Sequence, residues 1–345
     1  MPKNLLLKAL VSIATATLVH SVSAAEVTGA GSTFVYPVMA KWAAAYKTET
    51  GTSVNYQSIG SGGGIKQIQN KTVEFGATDM PLKVEELEKN DLVQFPVING
   101  ATVIIINVPG VKPGELKLTG KLVADIFLGT IKKWNDPAIT SINKDVKLPD
   151  LEIKVVHRSD GSGTTFIFSN YLSKVSADWK SKIGEGSALN WPTGMGGKGN
   201  EGLANYVKQF EGTIGYVEYA YALQTEMTYT QMQNKAGKFV APSDETFASA
   251  AAGIDWSKAP GYYLIMTDAA GPKSWPIAGS TFILMQKNPT KPEQTKEALK
   301  FFRWAFKNGA KDAKDLHYVP LPTATIKGIE KTWLKEVKGV DVKSL

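Results

Sequence analysis

The chain contains no cysteine, which excludes disulfides, thiolate metal sites, a cysteine nucleophile and lipid attachment at an N-terminal cysteine. Without such staples its 345 residues must rely on their cores, and 43% hydrophobic against 21% charged residues suffices for two domains of ordinary size. Arginine is scarce as well: among 39 basic residues only Arg158 and Arg303 are arginines. With three histidines in all, the His and Asp clusters that phosphatase metal sites require are missing, and no metal or other cofactor is expected. The lysines are scattered singly, which describes a solvated surface and not a nucleic-acid track.

Long apolar runs are confined to one end. Residues 1–25 carry Lys3 and Lys8 as their only charges, an apolar stretch from Leu5 to Val19, and the small residues Val22-Ser23-Ala24-Ala25. That is the pattern of a secretory signal peptide, with cleavage after Ala24 or Ala25. No later segment approaches the roughly 18 uninterrupted apolar residues of a membrane-spanning helix. Removing the signal takes away two lysines and no acid, leaving 37 basic against 32 acidic residues, a net charge of +5. The mature chain is therefore expected to be soluble and exported.

What the chain does have is a set of glycine- and hydroxyl-rich turns. The most telling is His157-Arg158-Ser159-Asp160-Gly161-Ser162-Gly163-Thr164-Thr165, between an apolar run (Leu151 to Val156) and a helical pattern (Phe166 to Val175). A strand feeding such a turn into a helix aims unpaired backbone N–H groups at whatever occupies the turn. Arg158 adds a planar fork suited to a bidentate grip on an oxyanion, and Asp160 is spaced to hold that fork. Two earlier turns repeat the theme. Gly29-Ala30-Gly31-Ser32-Thr33-Phe34 follows a short strand and precedes a helix from Val35 to Tyr46. Ile59-Gly60-Ser61-Gly62-Gly63-Gly64 follows the strand Thr52 to Ser58. At the next strand end, Val73 to Thr78, a carboxylate replaces the hydroxyl: Asp79. In open α/β sheets such turns gather at one cleft.

The rest alternates helix, loop and strand, as α/β layers do. Gln94 to Asn107 reads as a strand buried on both faces, Thr119 to Leu128 as a helix, and Gly184 to Gly202 as a loop. That loop holds a formal GxGxxG, Gly194 to Gly199, which follows Trp191-Pro192-Thr193 instead of a strand and is discounted as a dinucleotide site. Leu203 to Phe210 reads as a helix, and Ile214 to Tyr219, Tyr262 to Met266 and Phe282 to Gln286 as strands. A long helix runs from Pro292 to Asn308-Gly309, with Arg303 as a surface or packing residue.

Asp79 admits two readings. It caps the helix that follows, or it is the one acceptor among many donors. In the second case the anion must bring a proton, which phosphate does near neutral pH and sulfate does not.

Four motifs together carry a resemblance: Thr28 to Phe34, Ile59 to Gly64, Phe75-Gly76-Ala77-Thr78-Asp79 and Arg158 to Thr164. Over essentially the whole mature chain it resembles the periplasmic phosphate-binding proteins of bacterial phosphate ABC uptake systems. The resemblance implies an α/β, two-lobed Venus-flytrap fold with two crossover hinge strands and a ligand cleft between the lobes. Residues 26–102 and 278–345 would form a discontinuous lobe I and residues 103–277 lobe II, with Thr102 to Asn107 and Ser280 to Gln286 as candidate crossovers. It implies a periplasmic monomer that binds inorganic phosphate and delivers it to an inner-membrane ABC permease. Phosphate ligands carry over to Ser32, Thr33, Phe34, Ser61, Arg158, Ser162, Gly163 and Thr164, with Asp79 accepting the phosphate proton and Asp160 holding the arginine. Ser32 stands where relatives often have alanine. His157 stands where they often have arginine, and is expected at a strand end facing solvent.

Two other classes compete. A secreted phosphatase with Ser162 or Ser61 as nucleophile lacks GxSxG and would have only His157 or His317 as base. A binding module for another tetrahedral oxyanion, such as molybdate, or a surface used in adhesion, is opposed only by the argument from Asp79.

Overall fold

The computed structural model describes residues 26–345, so the signal-peptide expectation for residues 1–25 lies outside the described residues. Its frame is one nine-stranded mixed sheet that two lobes share. The first three strands are β1 (Glu26–Gly31), β2 (Ser53–Ser58) and β3 (Phe75–Thr78), joined through helices α1 (Tyr36–Thr50) and α2 (Ser61–Gln69). β1 pairs in parallel with both β2 and β3, so the turns that leave these strands open on the same edge.

The strand β4 (Leu92–Asn107) is 16 residues long and buried along almost its whole length. β5 (Lys154–Arg158) and helix α3 (Gly163–Val175) follow, then β6 (Met195–Gly197), helix α4 (Gly199–Gln209), β7 (Thr213–Glu218), β8 (Ala278–Gln286) and helix α5 (Pro292–Asn308). The sheet runs β2-β1-β3-β8-β4-β7-β5-β6, and its ninth strand, the short Thr228–Tyr229, pairs with β4 off this path. β4 changes partner part-way: Leu92 to Ala101 pairs antiparallel with β8, and Thr102 to Asn107 with β7. One strand thereby belongs to both lobes.

Cores form on each side. In the first lobe Phe302 of α5 packs edge-on against Phe75 and Phe95, with ring centroids 4.9 and 5.8 Å apart. In the second, Phe168 of α3 stacks on Tyr216 of β7 at 4.2 Å. Pro292 opens α5 and Gly309 closes it, as the sequence predicts. Arg303 bonds Glu330 at 2.9 Å and the carbonyl of Leu345 at 2.6 Å, a packing role at the C-terminus.

Three expectations are corrected. Tyr262 to Met266 is not a strand: Pro260–Tyr262 is a short 3₁₀ turn in which Gly261 and Tyr262 take φ of 60° and 55°, a left-handed pair that no ladder accommodates. The glycine loop 184–202 contains a strand, Met195–Gly197, because a glycine at 197 lets the backbone of Leu203 come within 2.7 Å of where a Cβ would sit. The expected pairing of Thr102 to Asn107 with Ser280 to Gln286 is not formed: Thr102 to Asn107 pairs with β7, and Ser280 to Gln286 pairs with the preceding half of β4, Leu92 to Asn99.

Phe302→Ala should destabilise the protein by about 3–5 kcal/mol, since it empties the centre of the aromatic cluster. Urea unfolding followed by tryptophan fluorescence measures it.

Candidate functional site

The four turns converge. Ser32, Thr33, Ser61, Asp79, Arg158, Ser162 and Thr164 are all 3% exposed or less, and they meet where the lobes face each other. From the first lobe come Ser32, Thr33 and Phe34 at the end of β1, Ser61 at the start of α2 and Asp79 after β3. From the second come Arg158 at the end of β5 and Ser162, Gly163 and Thr164 at the start of α3. Contacts cross directly: the Gly163 amide donates to Ser61 Oγ at 3.1 Å, and the Gly62 amide to the Gly161 carbonyl at 2.9 Å.

Glycine is required at this contact. A Cβ on Gly163 would lie 2.5 Å from both Asp79 Oδ2 and Ser61 Oγ. Ser162 caps α3 by accepting from the Thr165 amide at 3.0 Å, which leaves the first turn of that helix pointed into the cleft.

Asp79 does not cap a helix. Its carboxylate accepts from Ser32 Oγ at 2.6–2.7 Å, from Thr281 Oγ1 at 2.6 Å and more distantly from Ser61 Oγ at 3.4 Å. Burial pushes its pKa up to about 6, against the opposing pull of those hydroxyls and of the Arg158 charge. Burial likewise holds the nearby Glu218 well above the ordinary carboxylate range. Asp160 behaves oppositely. Burial disfavours its charge, but the hydrogen bonds and charge of Arg158 outweigh that and bring its pKa below the usual value. The pair is bidentate, Arg158 Nε to Oδ1 at 2.7 Å and Nη2 to Oδ2 at 2.6 Å. The guanidinium is thus held by one edge, and Nη1 remains on the side of Thr164 Oγ1, 3.4 Å away.

His157 is not turned to solvent. It is half-buried, its ring stacked on Trp191 with centroids 4.7 Å apart, and burial lowers its pKa. The aromatic face offered by the loop at 191 is what the strand-end reading lacked.

Several residues at the cleft escaped the sequence reading. Tyr56, Tyr221 and Tyr318 donate to the carbonyls of Ser32, Thr33 and Phe34 at 2.7, 2.7 and 2.6 Å, fixing the first turn through three consecutive carbonyls. Thr281 reaches Asp79 from β8, at a register shift between Thr281 and Phe282. A bulge of this kind re-aims a side chain, so strict alternation cannot place it. Asn200 follows Gly199 at the start of α4, and its Nδ2 donates to Thr33 Oγ1 at 2.7 Å. The glycine run that precedes it, Gly194 to Gly199, carries the signal, although its context does not suit a dinucleotide.

Comparison with known proteins agrees with this architecture. A family model described as a PBP superfamily domain matches residues 18–308. The phosphate-binding protein PstS of Xylella fastidiosa (strain Temecula1) is 55% identical over 313 residues, covering 91% of this chain and 86% of that protein. The chain belongs to the phosphate-binding protein family. The family member from Pasteurella multocida is 53% identical over 336 residues, 97% of this chain and 98% of its own. Among solved structures, a high-affinity periplasmic phosphate-binding protein with bound phosphate superposes with a TM-score of 0.72 at 18% identity, covering 92% of this chain and 97% of that one. The phosphate-binding protein from Stenotrophomonas maltophilia gives 0.67 at 20%, covering 89% and 93%. At these identities the structures show the fold alone, the α/β two-lobed binding-protein fold.

The raised pKa of Asp79 has a consequence for stability. Between pH 3.8 and about 6 the folded protein binds a proton at Asp79 that the unfolded chain releases, so this group's contribution to stability falls as pH rises through that window. Asp79→Asn should remove that slope, worth on the order of 3 kcal/mol across the window. Denaturant midpoints of ligand-free wild type and variant at pH 4 and pH 7 test this; parallel profiles would contradict it.

Proposed function

We propose that this protein is the substrate-binding receptor of a phosphate ABC transporter: it captures inorganic phosphate, mono- or dibasic, between its lobes and hands it to the inner-membrane permease. Relatives at 53–55% identity that carry the phosphate-binding name support it. The single observation that carries the ligand assignment is the buried Asp79 carboxylate amid hydroxyl, amide and guanidinium donors. Donors stabilise any oxyanion. One acceptor in their midst favours an anion that still holds a hydrogen, and repels one that does not.

In this reading Ser61, Thr33, Phe34, Ser162, Gly163, Thr164 and Arg158 supply donors, the Phe34 and Gly163 amides turning to the anion from Ser32 Oγ and Ser61 Oγ, which they bond at 3.0 and 3.1 Å; Asp160 orients Arg158, and Asp79 accepts the phosphate proton. Ser32 takes a narrower part. Its hydroxyl is spent on Asp79 while its oxygen accepts the Phe34 amide at 3.0 Å, so it sets the acceptor more than it grips the anion. Lobe I comprises residues 26–102 and 278–345 and lobe II residues 103–277. The change of partner along β4 and the start of β8 at Ala278 support these limits to within a residue or two. Hinge closure of the lobes would then bury the anion. The protein works in the periplasm as a monomer, and among the described residues no helix is long and apolar enough to cross a membrane.

A phosphatase reading finds no support in the contacts of its nucleophile candidates. Ser61 Oγ is engaged by two amides and Asp79, and Ser162 Oγ by the Thr165 amide.

Calorimetric titration of the mature protein should show tight phosphate binding and little or no sulfate binding; comparable affinities, or no phosphate binding, would refute the proposal. Arg158→Ala should weaken phosphate about 10- to 100-fold, the effect of losing a charged hydrogen-bond partner.

A further inference from the structure

We propose that Asn200 is a positioning residue that commits two cleft hydroxyls, one from each lobe, to donate toward the anion. This rests on the phosphate reading of the cleft. A threonine hydroxyl has one proton and two lone pairs, so it can present either to a ligand. At Thr33 both lone pairs are used: Oγ1 accepts from the Asn200 amide N–H at 3.2 Å and from Asn200 Nδ2 at 2.7 Å. At Thr164, Oγ1 accepts from Arg158 Nη1 at 3.4 Å and from Asn200 Nδ2 at 3.3 Å. Each hydroxyl is left with only its proton to offer.

The two hydrogens of Nδ2 serve the two threonines. Which end of the amide faces them is dictated by Glu218, whose backbone N–H donates to Asn200 Oδ1 at 3.1 Å. Asn200 is fully buried, so exchanging these partners for water is not open to it.

The neighbouring residue extends the device: the Gly199 amide donates to Asp160 Oδ1 at 3.1 Å, and Asp160 in turn holds Arg158. The first turn of α4 therefore sets three donor groups at once. Thr33 lies in the first lobe and Thr164 in the second, so Asn200 completes its set of contacts only when the lobes are closed. Donor orientation and closure are thereby one event. A free hydroxyl would spend part of its time pointing a lone pair at the anion.

The test is a mutant cycle read by phosphate calorimetry. Asn200→Ala should weaken binding about 10- to 100-fold, but less than about threefold in a Thr33→Val/Thr164→Val background, where no hydroxyl remains to be oriented. Equal losses in both backgrounds, or no loss in the first, would overturn the inference while leaving phosphate binding by the wild type intact. Failure of the wild type to bind phosphate would overturn the underlying reading, and this inference with it. Neutron diffraction of the wild-type phosphate complex needs no substitution that could impair folding. Deuterons of Thr33 and Thr164 directed at phosphate oxygens are expected, and either one directed elsewhere contradicts the proposal.

Discussion

A carboxylate buried at the meeting of two lobes is costly unless its surroundings satisfy it, and the structure is arranged around meeting that demand at Asp79. Ser32, Thr281 and Ser61 supply protons to it from three different elements, yet burial still raises its pKa to about 6. An acid in that state is ionised at neutral pH but gains from one more strong donor. A protonated phosphate oxygen provides one, whereas a bare sulfate oxygen adds repulsion. On the proposed reading, the selectivity of the site is a property of one group's solvation, with the many donors around it providing affinity and little discrimination.

The fold delivers those groups by topology. Parallel strands β1 and β3 end on one edge and β5 ends opposite them, while β4 carries the chain between the two halves of the sheet. Glycines at the contact make the close approach possible: a side chain at Gly60 would collide with Asp160, and one at Gly163 with Asp79. Tyrosines then anchor the first turn by its carbonyls. Closure and site assembly are consequently hard to separate.

Much of this was legible in the sequence because it is local. A hydroxyl-rich turn between a strand and a helix is read from a dozen residues, and Arg158 stands out because the chain has so few arginines. The long strand was legible as well, being apolar on both faces. What could not be read depends on distant parts of the chain. Thr281 reaches Asp79 through a bulge that breaks the two-residue period, and Asn200 through a glycine run whose spacing suggests a different chemistry. The stacking of His157 on Trp191 joins residues whose sequence neighbourhoods give no hint of one another. The partner of Thr102 to Asn107 was misassigned by the same cause: β4 is buried along almost its whole length, so nothing along it marks where its partner changes from β8 to β7.

The central claim is that Asp79 is the group that distinguishes a hydrogen-bearing anion from a bare one. Its most direct test is the ratio of phosphate to sulfate affinity in wild type and in Asp79→Asn at neutral pH. The side-chain amide can turn its N–H toward the ligand, so the account predicts that the ratio collapses toward unity chiefly through a gain in sulfate binding. A variant that keeps the wild-type ratio would place the discrimination elsewhere and contradict the account.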